Sequence, residues 1–294
     1  MPNVEPYISS ASNPKVKEWA KLKERKYRER EGKFLLEGIH LVKEALLAGW
    51  PLVSIAYDAG FGVPDELEAA AESGVRSGGQ TGGRTSGHTG GNTGGPNWFP
   101  VSPEVIAKCS TAETPQPVFA VAMKRPAEPD KLYDTETGLV VALDGVQDPG
   151  NVGTIIRSAA AAGATAVVLG RGTADLYNAK TLRATMGALF HIPVIEGDLT
   201  VMIPEARERG MAVAGTSLQA AQSCYEYNFR RGVWLVFGNE GSGLSPEVSG
   251  RVGDRLIIPM QGRAESLNVA MAATVLLFEA QRQRMFSPNK NSCP

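Results

Sequence analysis

Cysteine is scarce. The 294 residues contain three, Cys109, Cys224 and Cys293, far apart and without CxxC spacing. An odd, scattered set supports neither a disulfide framework nor a zinc site. Long hydrophobic runs are missing, and nothing approaches the ~18 uninterrupted apolar residues of a membrane span. The first residues, MPNVEPYISSASNPKVKEW, hold no apolar signal core, so a cytoplasmic protein without membrane contact is expected. Neither sign of charge prevails: 30 Lys and Arg stand against 31 Asp and Glu, for a net charge of −1. Any surface for nucleic acid must therefore be local. No GxGxxG joins a strand to a helix, and GxxxxGK[ST] and HExxH do not occur. The ordinary dinucleotide, nucleotide and zinc-hydrolase cradles are thus unsupported, and chemistry here would rely on an organic cosubstrate rather than a metal.

What is present is a globular composition, 43 % hydrophobic and 21 % charged, in a chain long enough for one large domain or two ordinary ones. Asn13-Pro14 predicts a helix start, with Asn13 as cap and Pro14 in the first turn. Residues 15–33 follow, where Lys and Arg outnumber Glu about two to one around Trp19, Leu22 and Tyr27. This stretch reads either as a solvated helix of mixed ion pairs or as a phosphate-contacting arm. Strands are expected at 34–36, 52–57, 98–101 and 118–123, and helices at 37–47, 64–71 and 103–108. His40 and His88 read as structural or incidental. Residues 73–96 (SGVRSGGQTGGRTSGHTGGNTGGP) bury too little apolar surface to offset chain entropy and read as a flexible insertion. Residues 1–124 thus form a small α/β domain, and the polar, proline-bearing 125–138 a linker.

From residue 139 to 294 a second domain follows. Strands are expected at 139–143, 166–169, 194–195, 212–215, 233–237 and 256–259. Helices alternate with them at 154–162, 178–190 and 203–209, and a long apolar one opens at Ser266. That alternation predicts a mainly parallel sheet covered on both faces. Three polar, glycine-bearing loops follow strand ends, at 144–153, 238–245 and 261–268. Two strand ends and a helix N-terminus meeting at one place is the usual site geometry of an open α/β sheet. Asn151 is either a helix cap or a site residue. Arg157, among isoleucines and alanines, would be costly to bury unpaired, which favours a site or an interface.

These loops resemble the three motifs of the SpoU (TrmH) family of RNA 2′-O-methyltransferases, of the SPOUT class. The first is Pro149-Gly-Asn151-Val-Gly153-Thr-Ile-Ile-Arg157. The second is Phe237-Gly238-Asn239-Glu240-Gly241-Ser-Gly243-Leu244-Ser245, and the third Ile258-Pro259-Met260 with Ser266-Leu267-Asn268-Val269-Ala270. The likeness covers roughly 139–284. Residues 1–124, most visibly FLLEGIHLVKEAL, resemble more loosely the ribosomal-protein-like substrate-binding domain of many members; the glycine-rich insertion departs from it.

The resemblance implies a fold that chain-topology rules alone would discard: a deep trefoil knot in the SPOUT domain. It implies S-adenosylmethionine as cosubstrate, held in a bent shape by Gly238, Ile258 and Leu267. It places Asn151, Arg157, Glu240, Ser266 and Asn268 around the reaction, and implies a homodimer acting on RNA, ribosomal RNA first and transfer RNA as the alternative. A ribose hydroxyl would attack the sulfonium methyl in line, with no covalent enzyme intermediate. A guanidinium with a pKa above about 12 is a poor base. Arg157 is therefore expected to orient a phosphate, with that phosphate or Glu240 taking the proton. Two rival readings stand beside this one: a SPOUT protein that binds RNA without methylating it, and an α/β enzyme for a small molecule.

Overall fold

The computed structural model describes residues 3–77, 95–126, 132–263 and 265–286. Most of the glycine-rich insertion, His88, Cys293 and residues 127–131 of the expected linker lie outside them. The chain divides into two compact units, Met1–Pro126 with Tyr177–Phe190, and Ala127–Leu176 with His191–Pro294.

In the first unit the elements run β1 (Asn3–Val4), α1 (Pro14–Lys21), α2 (Arg25–Glu31), β2 (Lys33–Glu37), α3 (Ile39–Leu47), β3 (Leu52–Asp58), α4 (Asp65–Ser77), β4 (Asn97–Val101), α5 (Pro103–Cys109) and β5 (Val118–Met123). The sheet order is β1-β4-β3-β5-β2. Asn13 caps α1 through its side chain, as expected, but the basic stretch is not one helix. It breaks at residues 22–24, where Arg28, only 4 % exposed, turns back and donates Nη1 to the carbonyls of Leu22 (2.9 Å) and Lys23 (2.7 Å). Trp19 drives the break. It is buried with its ring edge-on to Phe99 and Phe119, at 5.3 and 5.4 Å, so α1 must lie flat on the sheet.

The second unit contains β6 (Leu139–Asp144), α6 (Pro149–Ala161), β7 (Ala166–Leu169), β8 (Val194–Glu196), α8 (Leu199–Glu208), β9 (Ala212–Thr216), β10 (Gln222–Ser223), β11 (Val233–Gly238), α9 (Pro246–Ser249), β12 (Asp254–Ile257) and α10 (Val269–Met285). Between β7 and β8 the chain contributes α7 (Ala179–Thr185) to the first unit. The helix expected over 178–190 stops there, because Met186 and Gly187 take left-handed conformations, φ 48° and 84°. Among the described residues the sheet order is β10-β12-β9-β11-β6-β7-β8. Every pairing in it is parallel. This is why LVVALD, AVVL and VWLVFG read as unbroken apolar runs: both faces of β6, β7 and β11 are buried. On one face Val140, Ala142, Trp234 and Val236 pack with Ile203 and Ala206 of α8. Leu132 and Tyr133, within the stretch read as linker, join that core; Leu132 O accepts the Trp234 indole N–H at 3.2 Å.

α10 packs against α6 and β11. Its last turn is fixed by Arg284, whose guanidinium donates to the carbonyls of Phe229 (2.8 Å), Arg231 (2.9 Å), Gly138 (3.2 Å) and Thr137 (2.5 Å). One cation thus satisfies four carbonyls from two chain segments at the entrances to β6 and β11. Replacing Arg284 with Met keeps the stem and removes every donor. It is expected to cost about 2–3 kcal/mol, the loss of hydrogen bonds to a charged group, read as a lower urea midpoint.

Candidate active site

The site is built where β6 and β11 end together. Their register pairs Gly238 with Asp144, so the loops that follow leave the sheet side by side. From β6 the chain turns towards β7 and from β11 towards β12, on opposite sides, which opens the crevice of an α/β sheet at its switch point. A Cβ on Gly238 would lie 2.2 Å from Gly243 C and 2.3 Å from Leu244 N. Glycine is therefore required for the 238–243 loop to fold back on its own strand, closed by paired hydrogen bonds between Asn239 and Gly243 at 2.8 and 2.9 Å.

Polar side chains stitch the loops together. The Asn239 amide donates to Gly145 O at 2.8 Å, and buried Asp144 accepts from Ser245 N at 2.7 Å. Glu240 reaches across to the start of α6. It accepts from Gln147 N (3.1 Å), Asp148 N (3.1 Å) and the Asn151 amide (2.9 Å). Asn151 Oδ1 accepts in turn from the Asn268 amide at 3.0 Å. Asn268 Oδ1 caps α10, accepting from Ala270 N and Met271 N at 2.8 and 3.3 Å.

This chain has one possible direction. Because Asn268 Oδ1 faces backbone N–H groups, its NH2 faces Asn151. Asn151 must then present its oxygen to Asn268 and its NH2 to Glu240. Glu240 receives three donors, which favour its ionised form. Burial pushes its carboxyl pKa up, but the donations from Asn151 and the loop amides outweigh that and hold it below the usual range. The linkage follows in sign: stability from this carboxylate is present above its unfolded pKa and is lost as pH falls through the lowered folded value.

Several expectations need correction. Asn151 does not cap α6. Asp148 does, accepting from Asn151 N at 3.0 Å, and Pro149 opens the helix five residues before the expected start. That frees the Asn151 side chain for Glu240 and Asn268. Arg157, which would be costly to bury unpaired, is exposed on α6, in keeping with that expectation, and makes no hydrogen bond or ion pair among the described residues. The strand expected at 256–259 is β12, two residues earlier, so Ile258 stands half-buried in the following loop. α10 begins at Val269 rather than Ser266. Ser266 and Leu267 are exposed before it, and no hydrogen bond joins Ser266 to the Glu240 cluster among the described residues.

Asp144, Asp148 and Asn239 escaped the sequence reading. Asp148-Pro149 carried a cap signature that would have found Asp148. Nothing in the local sequence marks the other two, whose partners come from the register of distant strands.

Among the described residues no cluster of His, Cys, Asp and Glu could hold a metal, and no helix is long and apolar enough to cross a membrane. Cys109 is buried, its thiol pushed up to about 12 mainly by desolvation, which makes it inert.

The model of the SpoU rRNA methylase family matches residues 138–278, and that of the MRM3-like substrate-binding domain matches 13–120. The chain is 37 % identical over 271 residues to the 23S rRNA (guanosine(2553)-2′-O)-methyltransferase RlmP of Bacillus subtilis strain 168, covering 92 % of this chain and 97 % of that protein. The AdoMet-bound rRNA methyltransferase of Sinorhizobium meliloti superposes with a TM-score of 0.78 at 33 % identity, over 95 % of this chain and 98 % of that one. The SpoU methyltransferase AviRb of Streptomyces viridochromogenes, in complex with AdoMet, gives 0.78 at 28 % identity, over 93 % and 99 %.

Gly238→Ala is expected to force the 238–243 loop off its strand. Fast hydrogen exchange at the Asn239 and Gly243 amides, slow in the parent, would register the change, together with a lower melting temperature.

Proposed function

Because the chain belongs to the SpoU rRNA methylase family, we propose that it methylates a ribose 2′-hydroxyl of ribosomal RNA in the cytoplasm, at a 23S site. It is an S-adenosylmethionine-dependent RNA 2′-O-methyltransferase with an α/β methylase domain and an N-terminal substrate-binding domain. The observation that carries the reading is the single hydrogen-bond chain Asn268–Asn151–Glu240, which fixes three loops in one arrangement at the switch point. The site suits this cosubstrate: Ile258 is half-buried, Leu267 is 41 % exposed as an apolar edge, and Gly238 ends β11 at the crevice beside Asp144. These three residues would hold it, and when bound it supplies an electrophilic methyl group on a sulfonium.

The remaining residues would act on the RNA. Arg157, exposed and free of carboxylates, is suited to take a phosphate beside the target ribose and to lower the pKa of its hydroxyl. Glu240 accepts three donors, which suits it to orient Asn151 and the loops, and its remaining Oε2 lone pair or the RNA phosphate would take the proton. Ser266, exposed just before α10, would meet the ribose. Much of the rate would come from alignment, which is worth ~7–11 kcal/mol in well-oriented systems. The trefoil knot belongs to the same reading, supported by α10 returning across α6 and by the Arg284 contacts that hold its end.

The test is single-turnover transfer of tritiated methyl to 23S rRNA by the parent and by Arg157→Lys. The lysine keeps the charge and loses the planar fork. Cofactor affinity is expected to stay near the parent's while transfer falls on the order of a hundredfold, the equivalent of ~2–3 kcal/mol of charge-assisted contact. Parent-rate transfer by the variant would remove Arg157 from the mechanism, and no transfer by the parent to any RNA would sink the activity itself.

A homodimer belongs to the same proposal. Met271, Phe278 and Met285 recur every seven residues along α10 and are 50, 44 and 67 % exposed, a stripe of the kind two helices bury together. Light scattering at micromolar concentration is expected to give twice the chain mass for the parent and the chain mass for Phe278→Glu; a monomeric parent would count against the interface.

A further inference from the structure

The methyl-transfer site leaves one cavity unused. It lies in the first unit, has a volume of about 240 Å³, and is walled in part by Lys23, Arg28, Glu37, Tyr177, Lys180 and Arg183. Four cations share that wall with a single carboxylate. Glu37 has a side chain only 9 % exposed, and every contact on it is a donor: Ser110 Oγ at 3.0 Å, Thr111 N and Oγ1 at 3.0 Å each, and Arg183 Nη1 at 3.2 Å. Thr111 Oγ1 accepts from the same Nη1 at 3.2 Å. One corner of the guanidinium is therefore held from behind. Its Nε and Nη2 donors make no hydrogen bond among the described residues, and the side chain is 42 % exposed. Lys23 is anchored on neutral carbonyls, Lys108 O at 2.8 Å and Ser110 O at 3.4 Å, which fix its position without cancelling its charge.

We propose that this cavity takes a phosphate of the RNA strand, with Arg183 as the fork, Lys180 and Lys23 as the field around it, and Glu37 as the bracket that aims Arg183. The proposal rests on RNA being the substrate. An anchored guanidinium with free donors matches phosphate geometry, and a phosphate contact positions a strand without reading its sequence. A strand is favoured over a lone anion because the same α1–α2 surface continues into a second cationic cluster. Around Tyr27, Lys21, Lys26 and Arg30 stand 5.7, 5.6 and 5.0 Å from the ring centre, with Arg30 paired to Glu31 at 2.8 Å. A strand running along α1 and α2 would meet both places, where a lone anion would meet one.

The test uses the full-length protein and the double variant Lys180→Gln/Arg183→Gln, both exposed positions. Binding of a labelled 23S rRNA fragment is followed by anisotropy over a salt series. The variant is expected to bind roughly tenfold more weakly, with a salt slope smaller by about 1–2, at a melting temperature lowered slightly by loss of the Glu37 contact and at unchanged S-adenosylmethionine affinity. Parent-like affinity and slope would overturn the proposal. Inorganic phosphate forms a second arm. If it raises the melting temperature of the parent but not of the variant, while RNA affinity is unchanged, the cavity is a small-anion site and the RNA assignment falls. Glu37→Gln separates the bracket from bulk charge: weaker RNA binding supports aiming, and tighter binding overturns it. Each readout is binding, so a parent that binds RNA but transfers no methyl would sink the catalytic reading and leave this one standing.

Discussion

The parallel pairing of β6 with β11 is the constraint on which the site depends. Both strands are buried on both faces, so neither can slip by a residue without exposing an apolar row. That register sets Asp144 beside Gly238, one strand spacing apart, roughly 4.8 Å. Everything polar follows from it. Asp144 can reach Ser245 N, Asn239 can reach Gly145 O, and Glu240 can reach the N-terminus of α6 only because their loops start from adjacent strand ends. Gly238 makes the arrangement possible, since a side chain there would occupy the space of the returning loop.

Glu240 converts this proximity into rigidity. It takes two loop N–H groups and one amide, with the positive end of α6 favouring its charge. The order of donors and acceptors then runs without choice through Asn151 and Asn268 to the first turn of α10. An interaction of fixed direction transmits position better than one that can flip, because no alternative hydrogen-bonded state competes with it. The lowered pKa of Glu240 and its structural role have one cause.

The strands and the three loops were legible because buried parallel strands advertise themselves as apolar runs, and their ends as clusters of glycine and polar residues. The family motifs carried Asn151, Glu240 and Asn268, which the structure joins. Legibility failed where partners are far apart in the chain. Asp144 meets Ser245, about a hundred positions later, and no local pattern announces that. It failed again where two local signals competed. Asn151 and Asp148 both suit a helix cap, and Pro149, which fits the first turn and not an interior position, decides for Asp148. The basic stretch after Asn13 looked continuous because charge periodicity does not show a break; the break is set by Trp19 and Arg28, which the sheet and two carbonyls claim. Arg157 illustrates a further limit. Apolar neighbours in sequence said nothing of which side of α6 it occupies, and the helix turns it to solvent.

That exposure bears on how a chain of net charge −1 handles a polyanion. Its cations fall into two kinds. Arg284 is spent on four carbonyls and Arg28 on two, so both work for the fold. Arg157 and the free edge of Arg183 keep donors for something outside the protein. Global charge does not separate these kinds, because it counts a guanidinium that closes a turn the same as one that faces water. What separates them is whether the guanidinium is packed against carbonyls or turned to solvent. An RNA-binding surface can therefore be assembled in a nearly neutral chain, provided the neutralising carboxylates sit behind the cations. Glu37 stands behind Arg183 in this way: it offsets part of the guanidinium's charge and fixes its direction, while the outward donors stay open to phosphate.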